Sequence, residues 1–512
     1  MKKIAIIDLG SNSARMIIMK ISNKNSYKMI EQEKDMVRLS ENMGKEKTLK
    51  EPAMNRTIHV LKLFKRLIEA HKAHVVHAYA TAALRNAKNQ EEFLFRVKKE
   101  VGLDLKVISG KEEAYYDFLG VINTIDSRDF VMIDIGGGST EIGLIRDRKL
   151  VESVSLPYGS VVLTESFLGE HRVCHEKLKA LEGFMKKEMK KLKWLEQGKK
   201  LPIIGLGGSI RTVAKIDRKH IGFPLERLHN YQLTYEEFQS AYEKAIQEKL
   251  SDRKKVPGIN KERADIIAGG LAPLKVLMDM LDSKKLIVSG NGLREGVFYE
   301  NYLKDFDIHN NLVSDVLRHS VENGLKNYDV NMEHSIQVKK IGLLLFDELL
   351  DLHKLGTKER PILEVAALLH DIGIYVDYYN HHKHGFYLVL NSRINGLTNR
   401  ELLMCAFLVG MHRNFKFKKD WKEYDMLISE DDYNTIRKLA LLLKMSEMLD
   451  RNEYGSVKDI KANISKEHAK IILTSNNSLE LEIEAAMKSE DDFYKLFKRK
   501  LIMELRHIQK IN

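Results

Sequence analysis

Cysteine is nearly missing: Cys174 and Cys405 are the only two in 512 residues. Two cysteines cannot build a disulfide framework, which points to a reducing, cytoplasmic setting. No stretch approaches the run of about 18 apolar residues that a membrane span needs. The N-terminal MKKIAIIDLGSNS begins with charge, as a secretory signal does. Its apolar run stops at Asp8, however, and no cleavage site follows. Only seven prolines occur, and no Gly/Ser linker, so composition marks no sharp domain boundary. What is present is ordinary for a globular protein: 44% hydrophobic and 30% charged residues. The length exceeds the roughly 250–300 residues at which one core stops growing, so several domains are expected. A net charge of +12 suits polyanionic partners without choosing among them.

The first half alternates short apolar strands with amphipathic helices. Lys3–Leu9, Val75–Ala80, Asp104–Ile108, Phe130–Ile135, Pro202–Leu206 and Lys285–Ser289 read as strands. Asn55–His71, a segment from Lys111 and Arg294–Tyr302 read as helices. Such alternation argues an α/β architecture. Asn311–Asp450 is almost wholly helical in pattern. Beyond Ser456 the pattern alternates at Asp459–Ile464, Ala469–Thr474 and Ser478–Glu484, which predicts a small sheet with a terminal helix. The expected domains are residues 1–125, 126–305, 306–455 and 456–512.

An internal repeat is the strongest signal. Ile4–Ser13 reads IAIIDLGSNS and Val131–Thr140 reads VMIDIGGGST, with Asp134 lying 126 positions after Asp8. Each is a buried strand, an Asp at its end and a glycine turn bearing hydroxyl groups. Glycine lets a backbone approach phosphate closely, and successive N–H groups of such a turn form an anion-binding concavity. Gly10, Ser11, Asn12 and Ser13 in one turn, and Gly136, Gly137, Gly138, Ser139 and Thr140 in the other, are therefore candidate phosphate binders. A carboxylate beside phosphate repels it unless a cation intervenes, so Asp8 and Asp134 imply Mg²⁺. Glu141, seven positions past Asp134, either leans on that metal or is an exposed strand residue. Ser109 and Glu112 fit a capping box opening a helix, which leaves Glu113 without a structural task. A carboxylate at a rigid helix start can orient and deprotonate water. Arg85, after the strand Val75–Ala80, is either a phosphate fork or a surface residue.

The segments IIDLGSNSARM, ATAALRNA, ISGKEEAYYDFLG, MIDIGGGSTEIG, SLPYGSVVLTESF, GLGGSIRTVA and VSGNGLREGVFYE occur in this order. Together they resemble the exopolyphosphatase/guanosine pentaphosphatase (Ppx/GppA) family, over about Met1–Tyr302. The resemblance implies two actin-like, ribonuclease H-like lobes of the acetate kinase and hexokinase superfamily. It implies removal of terminal phosphate from inorganic polyphosphate, or from pppGpp, with Mg²⁺. By motif, Glu113 matches the family's base, and Asp134 and Glu141 its metal acids. Arg85 and the Ser11–Ser13 turn, with Gly137, Gly138 and Ser139, match its phosphate cradle. Gly207, Gly208 and Ser209 match the second-lobe loop.

The helical half resembles an HD domain, a metal-dependent phosphohydrolase fold, on the segment AALLHDIGI. His370 and Asp371 are its adjacent pair, with His334, His381, His384 and His412 on either side. Glu447 holds the place of the expected late Asp, and Asp450 follows three residues on. A second divalent metal here is one expectation, and a purely structural helical module is the other. The basic stretches Lys186–Lys193 and Phe415–Lys422 are either solvated faces or a track for a long polyanion.

The expected function is an exopolyphosphatase acting processively in the cytoplasm. A pppGpp phosphohydrolase is the first alternative, a non-catalytic polyphosphate or nucleotide sensor the second, and phosphotransfer to ADP a further one. A homodimer is consistent with the resemblance; neither a membrane nor a specific nucleic acid is an expected partner.

Overall fold

The structure, a computed structural model, describes every residue except Lys45, Glu170, His171, Asp307, Lys416, Lys418 and residues 508–512. Part of the basic stretch Phe415–Lys422 thus lies outside the described residues. The chain divides into two compact units, Met1–Val316 and Leu317–Asn512. Among the described residues no helix is long and apolar enough to cross a membrane.

Unit 1 holds two sheets built on one plan. In the first, β1 (Lys2–Leu9), β2 (Ala14–Ile21) and β3 (Tyr27–Asp35) form an antiparallel meander. β4 (Val75–Ala80) and β5 (Leu105–Val107) then extend the other side of β1 in parallel. In the second, β6 (Phe130–Ile135), β7 (Thr140–Arg146) and β8 (Lys149–Leu156) repeat the meander. β9 (Ile203–Leu206) pairs parallel with β6. β10 (Tyr231–Thr234) forms the edge, antiparallel to β11 (Lys285–Val288), which runs parallel to β9. The meander strands after each glycine turn, β2 and β7 with β3 and β8, were not among the strands the sequence pattern predicted.

Both faces of each sheet are covered, so the central strands read as continuous apolar runs rather than alternating ones. The period of two still sorts the side chains. Ala5, Ile7 and Leu9 of β1 pack on one face with Leu61 and Phe64 of the helix Glu51–Ala70. Ile4 and Ile6 point the other way, into a layer shared with Phe130 and Met132 of β6. The helices Gly110–Ile122 and Leu293–Lys304 fill that shared layer, through residues such as Phe118, Leu119, Val297 and Phe298. Val131, Ile133 and Ile135 face outward, onto the helix Ile267–Leu281. Because side chains alternate along a strand, Asp8 falls on the side of Ile4 and Ile6, and Asp134 on the side of Phe130 and Met132. Both acids therefore point into the layer between the sheets.

Unit 2 is mainly helical, with Met332–Glu348, Arg360–Leu369, His381–Asn391, Asn399–Met411 and Glu430–Met448 as its longer elements after the first helix. A three-stranded sheet follows: β12 (Asp459–Ile464), β13 (His468–Ser475) and β14 (Lys500–His507), in that order. Ser478–Glu484, expected as a strand, instead enters the helix Glu480–Met487. Its buried residues Leu479, Glu482, Ala485 and Ala486 recur at helical spacing, which the apparent alternation concealed. That helix and Glu490–Phe497 carry the chain across to β14, which pairs parallel with β13.

Candidate active site

The two repeated turns close in the same way. Gly10 N–H donates to the Ser13 carbonyl at 3.1 Å, and Gly136 N–H to the Ser139 carbonyl at 3.0 Å. They face each other across a cavity of about 560 Å³. Its wall carries Asp8, Gly10–Ser13, Glu113, Asp134, Gly136–Ser139, Gly207 and Gly208, together with Arg15 and Arg263. The structure thus brings together nearly all the candidates of the first half. Two sit elsewhere. Thr140 gives its hydroxyl to the Tyr158 carbonyl at 2.7 Å and is buried in β7. Ser209 is fully buried against Gly270, behind the loop rather than on the cavity wall.

Glu113 enters from the helix Gly110–Ile122, whose start is fixed by the expected capping box: Glu112 N–H donates to Ser109 Oγ at 3.2 Å and Ser109 N–H to Glu112 Oε2 at 2.8 Å. Arg85 stands behind Glu113 rather than on this wall. Its Nη1 donates to Glu113 Oε2 at 3.0 Å and to the Ile108 carbonyl at 2.9 Å, so the carboxylate is held by its partner while remaining in the cavity. Burial and the nearby Glu141 push Glu113 well above the usual carboxylate range, against the opposing charge of Arg85. Glu141 is 1% exposed, which corrects its reading as an exposed strand residue. Burial and Asp134 raise it to about 7, although Ser155 Oγ donates to it at 2.7 Å. Burial likewise raises Asp8 and Asp134, with Arg15 countering in both cases.

A set of arginines was not singled out from the sequence. Burial lowers Arg15, and lowers Arg211 and Arg263 to about 9 and about 10. Arg263 Nε and Arg294 Nη1 are buried without a hydrogen-bond partner. Arg15 had a signal: it lies seven residues past Asp8, as Glu141 lies seven past Asp134. Each is paired in register with its Asp across the hairpin. Buried guanidinium groups that lack acceptors, beside glycine turns, suit an anion with many oxygens.

A second cluster lies in unit 2. His370 and His412 end their helices, His381 begins one, and His334 lies in the first turn of another. Three of the rings set Nδ1 against a backbone carbonyl: His370 on Ala367 at 2.8 Å, His381 on Tyr378 at 2.8 Å and His412 on Val409 at 2.6 Å. A carbonyl only accepts, so each Nδ1 carries the proton. In the neutral ring the lone pair is then on Nε2. His334 Nδ1 sits 2.9 Å from Asp450 Oδ2, which orients it in the same sense. The Nε2 atoms meet in pairs, His334 with His370 at 3.2 Å and His381 with His412 at 3.1 Å. Asp371 reaches both pairs, with Oδ2 at 3.4 Å from His370 and Oδ1 at 3.2 Å from His381. Burial would raise this carboxyl, but His370 and the other imidazoles hold it far below its ordinary range. Glu447 is half-buried near His370 and Asp371, its Oε2 buried and unpartnered, and Arg413 Nε lies 3.7 Å from its other oxygen. His384 is half-buried and is not among the described groups that converge on an ion.

Two duplicated sheets, each ending in an acidic residue and a glycine turn across one cleft, define an actin-like phosphate-handling fold. Residues 17–305 match the Ppx/GppA phosphatase family, and residues 316–494 match domain III of Ppx/GppA phosphatases. The chain belongs to the Ppx/GppA phosphatase family. The Aquifex aeolicus family member is similar over 59% of this chain and 98% of its own, at 34% identity and a TM-score of 0.51. An exopolyphosphatase from Cytophaga hutchinsonii shares the fold at 24% identity, with a TM-score of 0.56 over 59% of this chain and 98% of that one. Among curated proteins, the bifunctional 3-dehydroquinate synthase/phosphatase of Fusobacterium nucleatum is 32% identical over 312 residues. That alignment takes in 58% of this chain and 46% of the relative, so the chain spans about half of its length.

Proposed function

We propose that the chain is an exopolyphosphatase, a Mg²⁺-dependent hydrolase that removes terminal phosphate from inorganic polyphosphate processively. The observation that carries this reading is the Arg85-held Glu113 carboxylate, buried in a cavity floored by two glycine turns and edged by Arg15 and Arg263, the latter with its Nε unpartnered. The acids fit a cation: Asp134 Oδ1 is buried with no hydrogen-bond partner, an expensive state for a carboxylate unless positive charge meets it. Asp8, Asp134 and Glu141 would hold Mg²⁺, which when bound neutralises charge on phosphate oxygens. Glu113 orients the attacking water and accepts its proton on a carboxylate oxygen. Arg85 keeps that oxygen in place. Arg15, Arg263 and the peptide N–H groups of the turns bind the terminal phosphate and stabilise the charge that spreads over it in an in-line displacement.

Phosphate release from polyphosphate, pppGpp and ATP, assayed side by side with and without Mg²⁺, tests the reading. Polyphosphate is expected to give the highest kcat/KM. Preference for pppGpp by tenfold or more would replace the substrate with a guanosine pentaphosphate. Binding of polyphosphate without hydrolysis of any of the three would favour a sensor.

In unit 2, the paired Nε2 atoms support a second reading, that this HD-like cluster holds divalent metal. Two imidazole lone pairs about 3 Å apart repel unless a proton or a cation lies between them. His334, His370, His381, His412 and Asp371 would be its ligands, with Asp450 orienting His334.

A further inference from the structure

Asp117 stands one helical turn past Glu113, on the same face of the helix Gly110–Ile122. It is 1% exposed, and neither of its carboxylate oxygens has a hydrogen-bond partner. Among the described residues no basic side chain comes within ion-pair distance of it. It borders a cavity of about 460 Å³ that continues the phosphate cavity on the side of Ser289–Gly292. The two cavities share Asp8, Glu113 and Asp134, whereas Asp117 borders only this second one. Gly292 leaves the space over Asp117 open, because a Cβ there would lie 3.0 Å from Oδ1.

A carboxylate buried without donors has three stable outcomes: it keeps a proton, it meets a cationic side chain, or it binds a metal. Arg211 and Arg294 line the same cavity but do not pair with it. Asp134, whose Oδ1 is also a buried carboxylate oxygen without a partner, lines the same cavity. We propose that Asp117 and Asp134 bind a second divalent cation, so that Asp134 stands between two metals, one toward Glu141 and one toward Asp117. Two cations across one phosphoryl group stabilise both the entering and the leaving oxygen of an in-line displacement. The arginines then remain free to hold the rest of a phosphate chain. This rests on the reading of the cleft as a phosphate-and-cation site. A count of bound metal does not depend on hydrolysis, however, so failure of the two can be told apart.

The test is Mn²⁺ uptake by the full chain, with free Mn²⁺ read by electron paramagnetic resonance at equilibrium. Asp117→Asn and Asp117→Leu, each checked by a cooperative melt, are expected to bind one Mn²⁺ fewer than wild type. The histidine cluster contributes equally to all three and cancels in the difference. The Mg²⁺ dependence of phosphate release at low metal should fall from about second to about first power. Unchanged Mn²⁺ uptake in either folded variant would mean that Asp117 is a protonated structural acid, and would overturn the proposal. One measurement keeps Asp117 in place. In an Asp371→Asn chain, which disables the histidine cluster, the cleft should take up two Mn²⁺, and uptake of only one also overturns it.

Discussion

Replacing Glu113 by Gln isolates the proposed role as base from everything else the residue does. The amide oxygen can still accept from Arg85 Nη1, which now donates to Oε2 at 3.0 Å. The backbone bond from Glu113 N–H to the Ser109 carbonyl is untouched, so the helix start survives. Burial, Glu141 and Asp8 all act against the charged form of Glu113. A neutral amide removes that tension, and the melting temperature should stay level or rise. What is lost is the proton acceptor. Loss of a general base costs about 10²–10⁴-fold in rate, or about 2.7–5.4 kcal/mol of barrier at about 1.36 kcal/mol per decade. Steady-state phosphate release should therefore show kcat reduced by that factor, with KM for polyphosphate nearly unchanged. Glu112→Gln is the matched control one residue away. Its amide still accepts from Ser109 N–H, and it loses only the exposed pair with Lys106, so its rate should change little. If kcat of Glu113→Gln stays within about threefold of wild type, the residue is not the base. If both variants fall equally, the effect belongs to the helix start.

Asp134→Asn should weaken Mg²⁺ activation by at least about tenfold, the scale at which even supporting residues of a metal site act, and excess Mg²⁺ should restore part of the rate; no recovery with normal substrate binding would remove Asp134 from the metal. In unit 2, metal analysis after dialysis against Mn²⁺ or Zn²⁺ should find bound ion that Asp371→Asn loses. Equal retention by both chains would return the cluster to a structural role. Lys106 and the Ser109 N–H hold Glu112 at about 2, below its ordinary 4.5. A depressed carboxyl contributes stability in full above its unfolded value and loses it as pH falls through the folded one. The melting temperature of wild type should thus exceed that of Glu112→Gln above about pH 4.5, and the gap should close toward about pH 2.

The sequence made the acids and turns of the cleft legible because each closes a buried apolar strand, a pattern visible without tertiary structure. It did not show which way Asp8 and Asp134 point. With both faces of each sheet covered, hydrophobicity does not alternate along β1 or β6, and only packing separates the inner residues from the outer ones. β3 was missed for the opposite reason: YKMIEQEKD is a half-exposed edge strand with too little apolar content to announce itself. Thr140 and Ser209 were legible as hydroxyl groups beside glycine but not as buried ones, since a change of one position along a strand or helix turns a side chain from cleft to core. In unit 2 the histidines were readable from their clustering in sequence. Their tautomers were not, because these depend on carbonyls at the ends of helices.

A duplicated frame would by itself give a symmetrical cleft, and chemistry in one direction needs the symmetry broken. The register of the repeat locates the breaks. Seven residues past the strand-end Asp, one sheet carries Arg15 and the other Glu141, so one side of the cleft favours phosphate and the other a cation. The inner helices also correspond. Ser109 and Gly292 are their N-caps, and Glu112 and Glu295 each accept from the N-cap N–H. Counting on by one residue, Glu113 corresponds to Gly296. At Gly296 the second helix crosses the first so closely that a Cβ would lie 1.8 Å from the Tyr116 carbonyl oxygen. No side chain fits there, so the second helix carries no counterpart of Glu113. The helix crossing in the shared layer thus leaves Glu113 without a matching carboxylate on the second helix, and under the proposed reading water is activated from one side only.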